Sequence, residues 1–278
     1  MTKKLLFLSV IAASLSFTSC QKEQVSEQTE TIAVQETNDI SDQIRKKVSD
    51  LNFNSKHVEK NSMLLPDGSF TENYLIEGDI VMTEEQMNTM STKSITDKQY
   101  RTYNLVSTPR TVNVIGYTGG SQALTSKQRT ALQWSIDNYN ALNIGITFTL
   151  TFGTNYSPYD IVVYQNRNGQ AGGVAGFPSN GNPYKFVQIF SGMEAYSTNT
   201  NEHVMTHEIG HSVGLRHTDW FSRQSCGQSG ESANPDGAVH IPGTPTGYDS
   251  NSIMLACFGA NEDGEFGAND RVALEYLY

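Results

Sequence analysis

The run His207-Glu208-Ile209-Gly210-His211-Ser212-Val213-Gly214-Leu215-Arg216-His217 decides how the rest of the chain is read. Its pattern is H-E-x-x-H-x-x-G-x-x-H. On a helix, residues four apart share a face, so His207 and His211 stand side by side, spaced to grip one metal ion. Glu208 follows the first of them and reaches a water on that ion without being a ligand itself. Gly214 lies three residues past His211. Glycine is the usual residue just beyond a helix end, because it takes a positive φ without steric cost. The chain turns there and brings His217 back as a third ligand. Three protein ligands leave one position open for water, the arrangement of a catalytic zinc site rather than a closed structural one. One Zn²⁺ per chain is expected.

This extended motif resembles that of the metzincin metallopeptidases. Its H-E-I-G-H wording is most similar to the bacterial family named for it, the dual-action HEIGH metallopeptidases. The resemblance implies an α+β, metzincin-like zincin domain: a twisted mixed β-sheet, an active-site helix, a methionine turn under the metal and a C-terminal helix. Ser252-Ile253-Met254, 37 residues after His217, fits the methionine turn, although a lone methionine is more often core filler. Ile76-Glu77-Gly78-Asp79 is similar to the F-x-G-D segment in pro-peptides of the astacin branch, with Ile in place of Phe. There the aspartate binds the zinc and displaces the catalytic water. Asp79 is therefore a candidate latency switch; the competing reading is a plain Gly-Asp turn. A cysteine latch of the matrixin type is excluded, since no cysteine lies between Cys20 and Cys226. In matrixins an aspartate of the last helix pairs with the new N-terminus, and Asp270 is the matching candidate. One departure is plain: astacins carry a zinc-binding tyrosine two residues after the turn methionine, and here that residue is Ala256.

Working towards the N-terminus, Lys3 and Lys4 precede an apolar run from Leu5 to Phe17, then Thr18-Ser19-Cys20. A basic start, a short apolar core and small residues make an export signal. The cysteine after them looks like a bacterial lipoprotein processing site, with Phe17 where Leu is commoner. Lipidation of Cys20 would anchor the exported chain to the membrane at the cell envelope or surface; ordinary secretion with Cys20 removed is the alternative. Cys226 and Cys257 then remain, an even pair in an exported protein. A Cys226–Cys257 disulfide is expected, tying the loop beyond the third histidine to the methionine turn; two free thiols are the alternative. The net charge of −10 argues against a nucleic-acid partner, which needs clustered Lys and Arg.

The remaining chain divides into a signal peptide (1–19), a flexible tether (20–52), a pro-segment with processing linker (53–101) and the catalytic domain (102–278). The tether reading rests on a Gln-, Glu-, Thr- and Ser-rich composition. In the pro-segment, apolar clusters at 63–65, 74–76 and 80–82 surround a turn at Asp67-Gly68, and Thr83 with Gln86 forms a capping box. The catalytic domain shows strands at 111–117, 146–152, 160–165 and 184–190, and a helix capped by Thr125 and Gln128. An exposed edge strand near Gly173 to Phe177 would let a peptide substrate add as an extra strand. The zinc-motif helix runs from about Thr200 to Val213, with His203 one turn before His207. Asn269 or Asp270 caps the closing helix. Loops between Trp220 and Tyr248 are expected to carry specificity.

The expected function is a zinc endopeptidase, monomeric, acting on extended polypeptide, with Glu208 as general base. The rival from another class is a catalytically silent, lipid-anchored binding protein on the same fold.

Overall fold

The computed structural model describes residues 40–51, 53–90, 101–102, 104–228 and 240–278. The signal peptide, Cys20, most of the linker after Met90 and part of the loop before His240 lie outside the described residues. Among the described residues no helix is long and apolar enough to cross a membrane.

The body is built on a five-stranded mixed sheet. Strands β4 (Arg110–Tyr117), β5 (Ile146–Gly153), β6 (Ile161–Asn166) and β8 (Phe186–Phe190) are parallel neighbours, and the two-residue β7 (Gly173–Val174) pairs antiparallel with β8. The spatial order is β5-β4-β6-β8-β7, so β7 is an edge. Central strand β6 is Ile161-Val162-Val163-Tyr164, all four fully buried, as a strand covered on both faces must be. Helix α3 (Ser126–Asn140) crosses between β4 and β5, a connection that parallel strands require. Its capping box closes as expected: Thr125 Oγ1 accepts from the Gln128 N–H, and Gln128 Oε1 accepts from the Thr125 N–H. Leu132, Ile136 and Tyr139 are buried. They pack with Met205, Ile209 and Val213 of α4 (Thr198–Val213) and Leu274 of the closing helix α5 (Ala268–Leu277) into the main core.

An N-terminal layer covers one side of this body. It holds α1 (Asp42–Asp50), the antiparallel strands β1 (Val58–Leu64), β2 (Phe70–Ile76) and β3 (Ile80–Met82), and α2 (Glu84–Thr89). Thr83 and Gln86 form the α2 capping box. One expectation is corrected here. Residues 42–50, assigned to a flexible tether, are helical and capped by Ser41. Ile40, Ile44 and Val48 recur at four-residue spacing, and all three are buried against Ile76, Ile80 and Phe177. Composition averaged over the whole window hid that single apolar stripe.

The closing helix also differs in detail. Its N-cap is Gly267, and Asp270 sits at the third helical position with Oδ2 accepting the Gly267 N–H.

Candidate active site

Helix α4 ends in a Schellman motif. Gly214 takes φ 121°, its N–H bonds to His211 O, and the Leu215 N–H reaches back to Gly210 O. The Tyr278 hydroxyl donates to the carbonyl of Val213. This reversal returns the chain across the helix end, so His217 meets His207 and His211. The Nε2 atoms of His211 and His217 are 3.3 Å apart. The fourth member of the cluster is Asp79, from the tight turn between β2 and β3. Its Oδ2 lies 2.9 Å from His217 Nε2 and 3.5 Å from His207 Nε2. One donor atom from each of Asp79, His207, His211 and His217 falls within 4.8 Å of all the others.

Each imidazole is aimed by its other nitrogen. His207 Nδ1 is 2.8 Å from Ile253 O, His211 Nδ1 is 2.8 Å from Leu215 O, and His217 Nδ1 is 3.1 Å from Glu77 Oε2. A carbonyl or carboxylate can only accept, so Nδ1 carries a proton in each ring, and Nε2 is the atom turned inward, able to give its lone pair to a metal once it is itself unprotonated. His207 Nε2, Asp79 Oδ1 and Glu208 Oε2 are buried with no hydrogen-bond partner. Buried polar atoms left unsatisfied are costly, and a cation held by three imidazoles and a carboxylate would engage His207 Nε2 and the Asp79 carboxylate. The residues therefore fit a metal of the zinc class.

Charges in this pocket are strongly perturbed. Burial alone would raise the Asp79 carboxyl, but the His217 charge and the adjacent His207 and His217 rings outweigh it and hold Asp79 well below the usual carboxylate range. Burial, then the Asp79 charge, push the Glu208 carboxyl well above its ordinary value. His203 is pushed down to about 3 by burial and by His207. It lies outside the donor cluster and lines the cleft instead.

Met254 is buried beneath α4. A Cβ built on Gly210 would come within 2.6 Å of Met254 Sδ. The preceding residue supplies Ile253 O, the acceptor for His207 Nδ1. Asp270 reaches this turn: its Oδ1 accepts from Ser252 Oγ and its Oδ2 from the Ile253 N–H. Cys226 and Cys257 are bonded, with Cα atoms 5.2 Å apart.

Three functional side chains escaped the sequence reading. Glu77, inside the quoted Asp79 segment, accepts from His217 and pairs with Arg216 Nη2 at 3.5 Å. Asp219, two residues past the third histidine, is fully buried. Its oxygens accept the Ala256 N–H, the Ser225 N–H and the Ser225 hydroxyl. Arg223 lines the cleft beside Ala256 and Cys257. A reading by spacing could have flagged Glu77; nothing local marks the other two.

The model of the dual-action HEIGH metallo-peptidase family matches residues 74–278. The chain belongs to that family. It is accordingly a metallopeptidase, and the matched span runs from β2 to the end of α5, including Glu77, Asp79 and the whole histidine motif. No curated protein matches. Two solved structures of myroilysin are similar. One has 15% identity and TM-score 0.38, covering 60% of this chain and 79% of its own. The other has 16% identity and TM-score 0.39, covering 63% and 86%.

Proposed function

We propose that this HEIGH-family chain is a zinc-dependent endopeptidase of metzincin type, made as a latent, exported precursor. The observation that carries the reading is the convergence of three inward-facing Nε2 atoms and the Asp79 carboxylate on one point beside Glu208. His207, His211 and His217 would hold the ion. Bound zinc supplies Lewis acidity and lowers the pKa of a water to about 7. Glu208 would serve as the general base and then the general acid, holding the transferred proton at its carboxylate. Ile253 O and Leu215 O keep the His207 and His211 rings oriented, and in the precursor Glu77 does the same for His217. Ser252-Ile253-Met254 forms the methionine turn, with Met254 packed against Gly210 of the helix.

Latency follows from how the N-terminal layer meets the sheet edge. The Val81 N–H bonds to Ala175 O, the Ala175 N–H bonds to Asp79 O, and Ile80 pairs with Ala175 in the parallel sense. The edge that an extended substrate would use is thus taken by residues 79–81, with the Asp79 side chain turned onto the histidines. The segment 53–101 acts as a pro-segment, its release at the linker freeing both the edge and the metal. The Gly-Asp turn reading of Asp79 is compatible with this, since the turn is what delivers the carboxylate. Lipidation of Cys20 anchors the precursor at the cell envelope, and palmitate label persisting in Cys20→Ala would refute that part.

Metal content and casein hydrolysis, measured on the chain and on Glu208→Gln, test the main reading. One zinc per chain in both, with a roughly 10²- to 10⁴-fold loss of turnover in the variant, is the expected outcome. Equal turnover in both would sink the mechanism. Zinc without hydrolysis in any processed form would favour the silent binding protein.

A further inference from the structure

The cleft over Glu208 has a volume of about 360 Å³ and is bounded by Gly172 and Gly173 at the sheet edge, by α4, and by Leu255 to Phe258. Its titratable lining consists of Glu77 and Asp79 from the N-terminal layer, and His203, His207, Glu208 and Arg223 from the body. Among the described residues, removal of the layer leaves Arg223 as the one lining side chain with a permanent positive charge. Arg223 Nε and Nη1 are screened from solvent and have no hydrogen-bond partner among the described residues. Its Nη2 has only Cys226 Sγ, at 3.7 Å, and sulfur is a weak acceptor. A charged donor left unmet in a screened position is costly, more so than a neutral one.

The position is nonetheless held firmly. The Arg223 N–H donates to Asp219 O at 2.7 Å, and the Asp219 carboxylate ties Ser225 to Ala256 across the cleft wall. The Cys226–Cys257 bridge repeats that tie covalently. Arg223 itself is in the left-handed region at φ 46°, a conformation that costs a non-glycine residue energy and persists only where its surroundings impose it. A planar guanidinium fixed in this way, with two nitrogens unmet, matches a carboxylate, which it can bind through two parallel hydrogen bonds.

We infer that Arg223 is a specificity-determining residue, selecting polypeptides that present a Glu or Asp side chain next to the scissile bond. This rests on the peptidase reading, and two measurements keep the two apart. In the first, zinc-loaded full-length chain carrying Asp79→Ala cleaves a peptide library in which each position near the scissile bond is Glu or its isostere Gln. Glu should be preferred at one position by tenfold or more. Arg223→Gln should bring that ratio to about one, and Arg223→Glu should favour Lys there instead. In the second, binding of the matched Glu and Gln peptides to the Asp79→Ala, Glu208→Gln chain is measured by calorimetry, which needs no turnover. Cleavage without a Glu preference in the Arg223 chain overturns the inference and leaves the peptidase reading standing. A binding preference that follows residue 223, without cleavage, sustains the inference and overturns the peptidase reading. Neither preference nor cleavage overturns both. The Glu-to-Gln ratio in the Arg223 chain does not depend on how well either variant folds.

Discussion

Replacing Gly210 by alanine should destabilise the protein, against what helix propensity alone predicts. In an ordinary helix interior the change from glycine to alanine gains about 1 kcal/mol. Here the new methyl would stand 2.6 Å from Met254 Sδ and 3.3 Å from both Met254 Cε and Tyr139 Oη. Non-bonded heavy atoms of this kind rest at about 3.5–4.0 Å, so the overlap is about 1 Å. Met254 is 1% exposed and borders a cavity of only about 30 Å³, which gives it little room to move. Its backbone is also engaged, with Met254 O accepting the Thr218 N–H and the adjacent Ile253 O holding His207. Overpacking of this sort costs about 1–3 kcal/mol. Set against the propensity gain, the expected net is a loss of about 1 kcal/mol, or a fall in Tm of roughly 2–4 °C for a chain of this size. The informative assay is urea unfolding of a double-mutant cycle. Met254→Ala alone should cost about 2–5 kcal/mol through the cavity it leaves. In that background the Gly210→Ala methyl has room and should be favourable by about 1 kcal/mol, giving a coupling of about 2 kcal/mol between the two sites. If Gly210→Ala stabilises the otherwise unaltered chain, or has the same effect in both backgrounds, the glycine is not there to admit the methionine.

Three further outcomes are expected. Removing the disulfide by Cys226→Ala with Cys257→Ala should cost about 4 kcal/mol in the loop-entropy model for a 31-residue separation; an unchanged unfolding midpoint, with reductant equally without effect on the wild type, would contradict this. Asp79→Ala should raise casein hydrolysis by the unprocessed precursor at least tenfold over wild type, and a variant as silent as its parent would remove Asp79 from the latch. The Glu202 carboxyl is pushed up to about 7, by burial first and then by Glu265, with the Asn138 hydrogen bond opposing and Asp263 and Asp137 adding to the rise. Because the folded chain holds this proton more tightly than the unfolded one, the contribution is complete below pH ~4.5 and is lost as pH rises through ~7. Glu202→Gln, which is neutral throughout, should therefore match wild type near pH 4 and exceed it by about 1–2 kcal/mol at pH 8, after discounting for solvent screening. A difference that stays flat between those pH values would reject the assignment.

Most of the body was legible because its signals are local. The alternation in Ile146 to Phe152, the fully apolar Ile161 to Tyr164 and the Thr125–Gln128 capping box are complete within a few residues, and tertiary contacts had only to agree with them. The three histidines were legible for the same reason: a helical face and a glycine reversal are short-range geometry. Helix α1 was missed because its three buried residues sit in a polar window whose composition outweighed their spacing. Asp219 and Arg223 were missed for a different reason. Asp219 gathers donors from Ser225 and from Ala256, and the second of these is 37 residues distant. Arg223 acquires meaning only when Cys226 is joined to Cys257 and the cleft closes around it. Neither residue carries a spacing that could announce a long-range contact.

The segment Glu77-Gly78-Asp79 was legible in half of its role. The resemblance pointed to Asp79 alone, as a carboxylate on the metal side of the histidines. The structure adds Glu77, two residues earlier, at the opposite nitrogen of the same ring: His217 meets Asp79 through Nε2 and Glu77 through Nδ1. Two carboxylates of one turn therefore grip one imidazole from both ends. Glu77 can do so because its backbone is left-handed at φ 58°, which turns its side chain inward while Gly78 and Asp79 complete the reversal. Its second oxygen accepts the Asn54 N–H and faces Arg216, whose guanidinium lies 3.9 Å over the Phe53 ring. An inhibitor that only blocked the metal would need no such anchoring. Under the latency proposed above, the carboxylate on the metal side and the carboxylate at the far nitrogen of the third histidine share one hairpin, so its release would withdraw both from His217 at once.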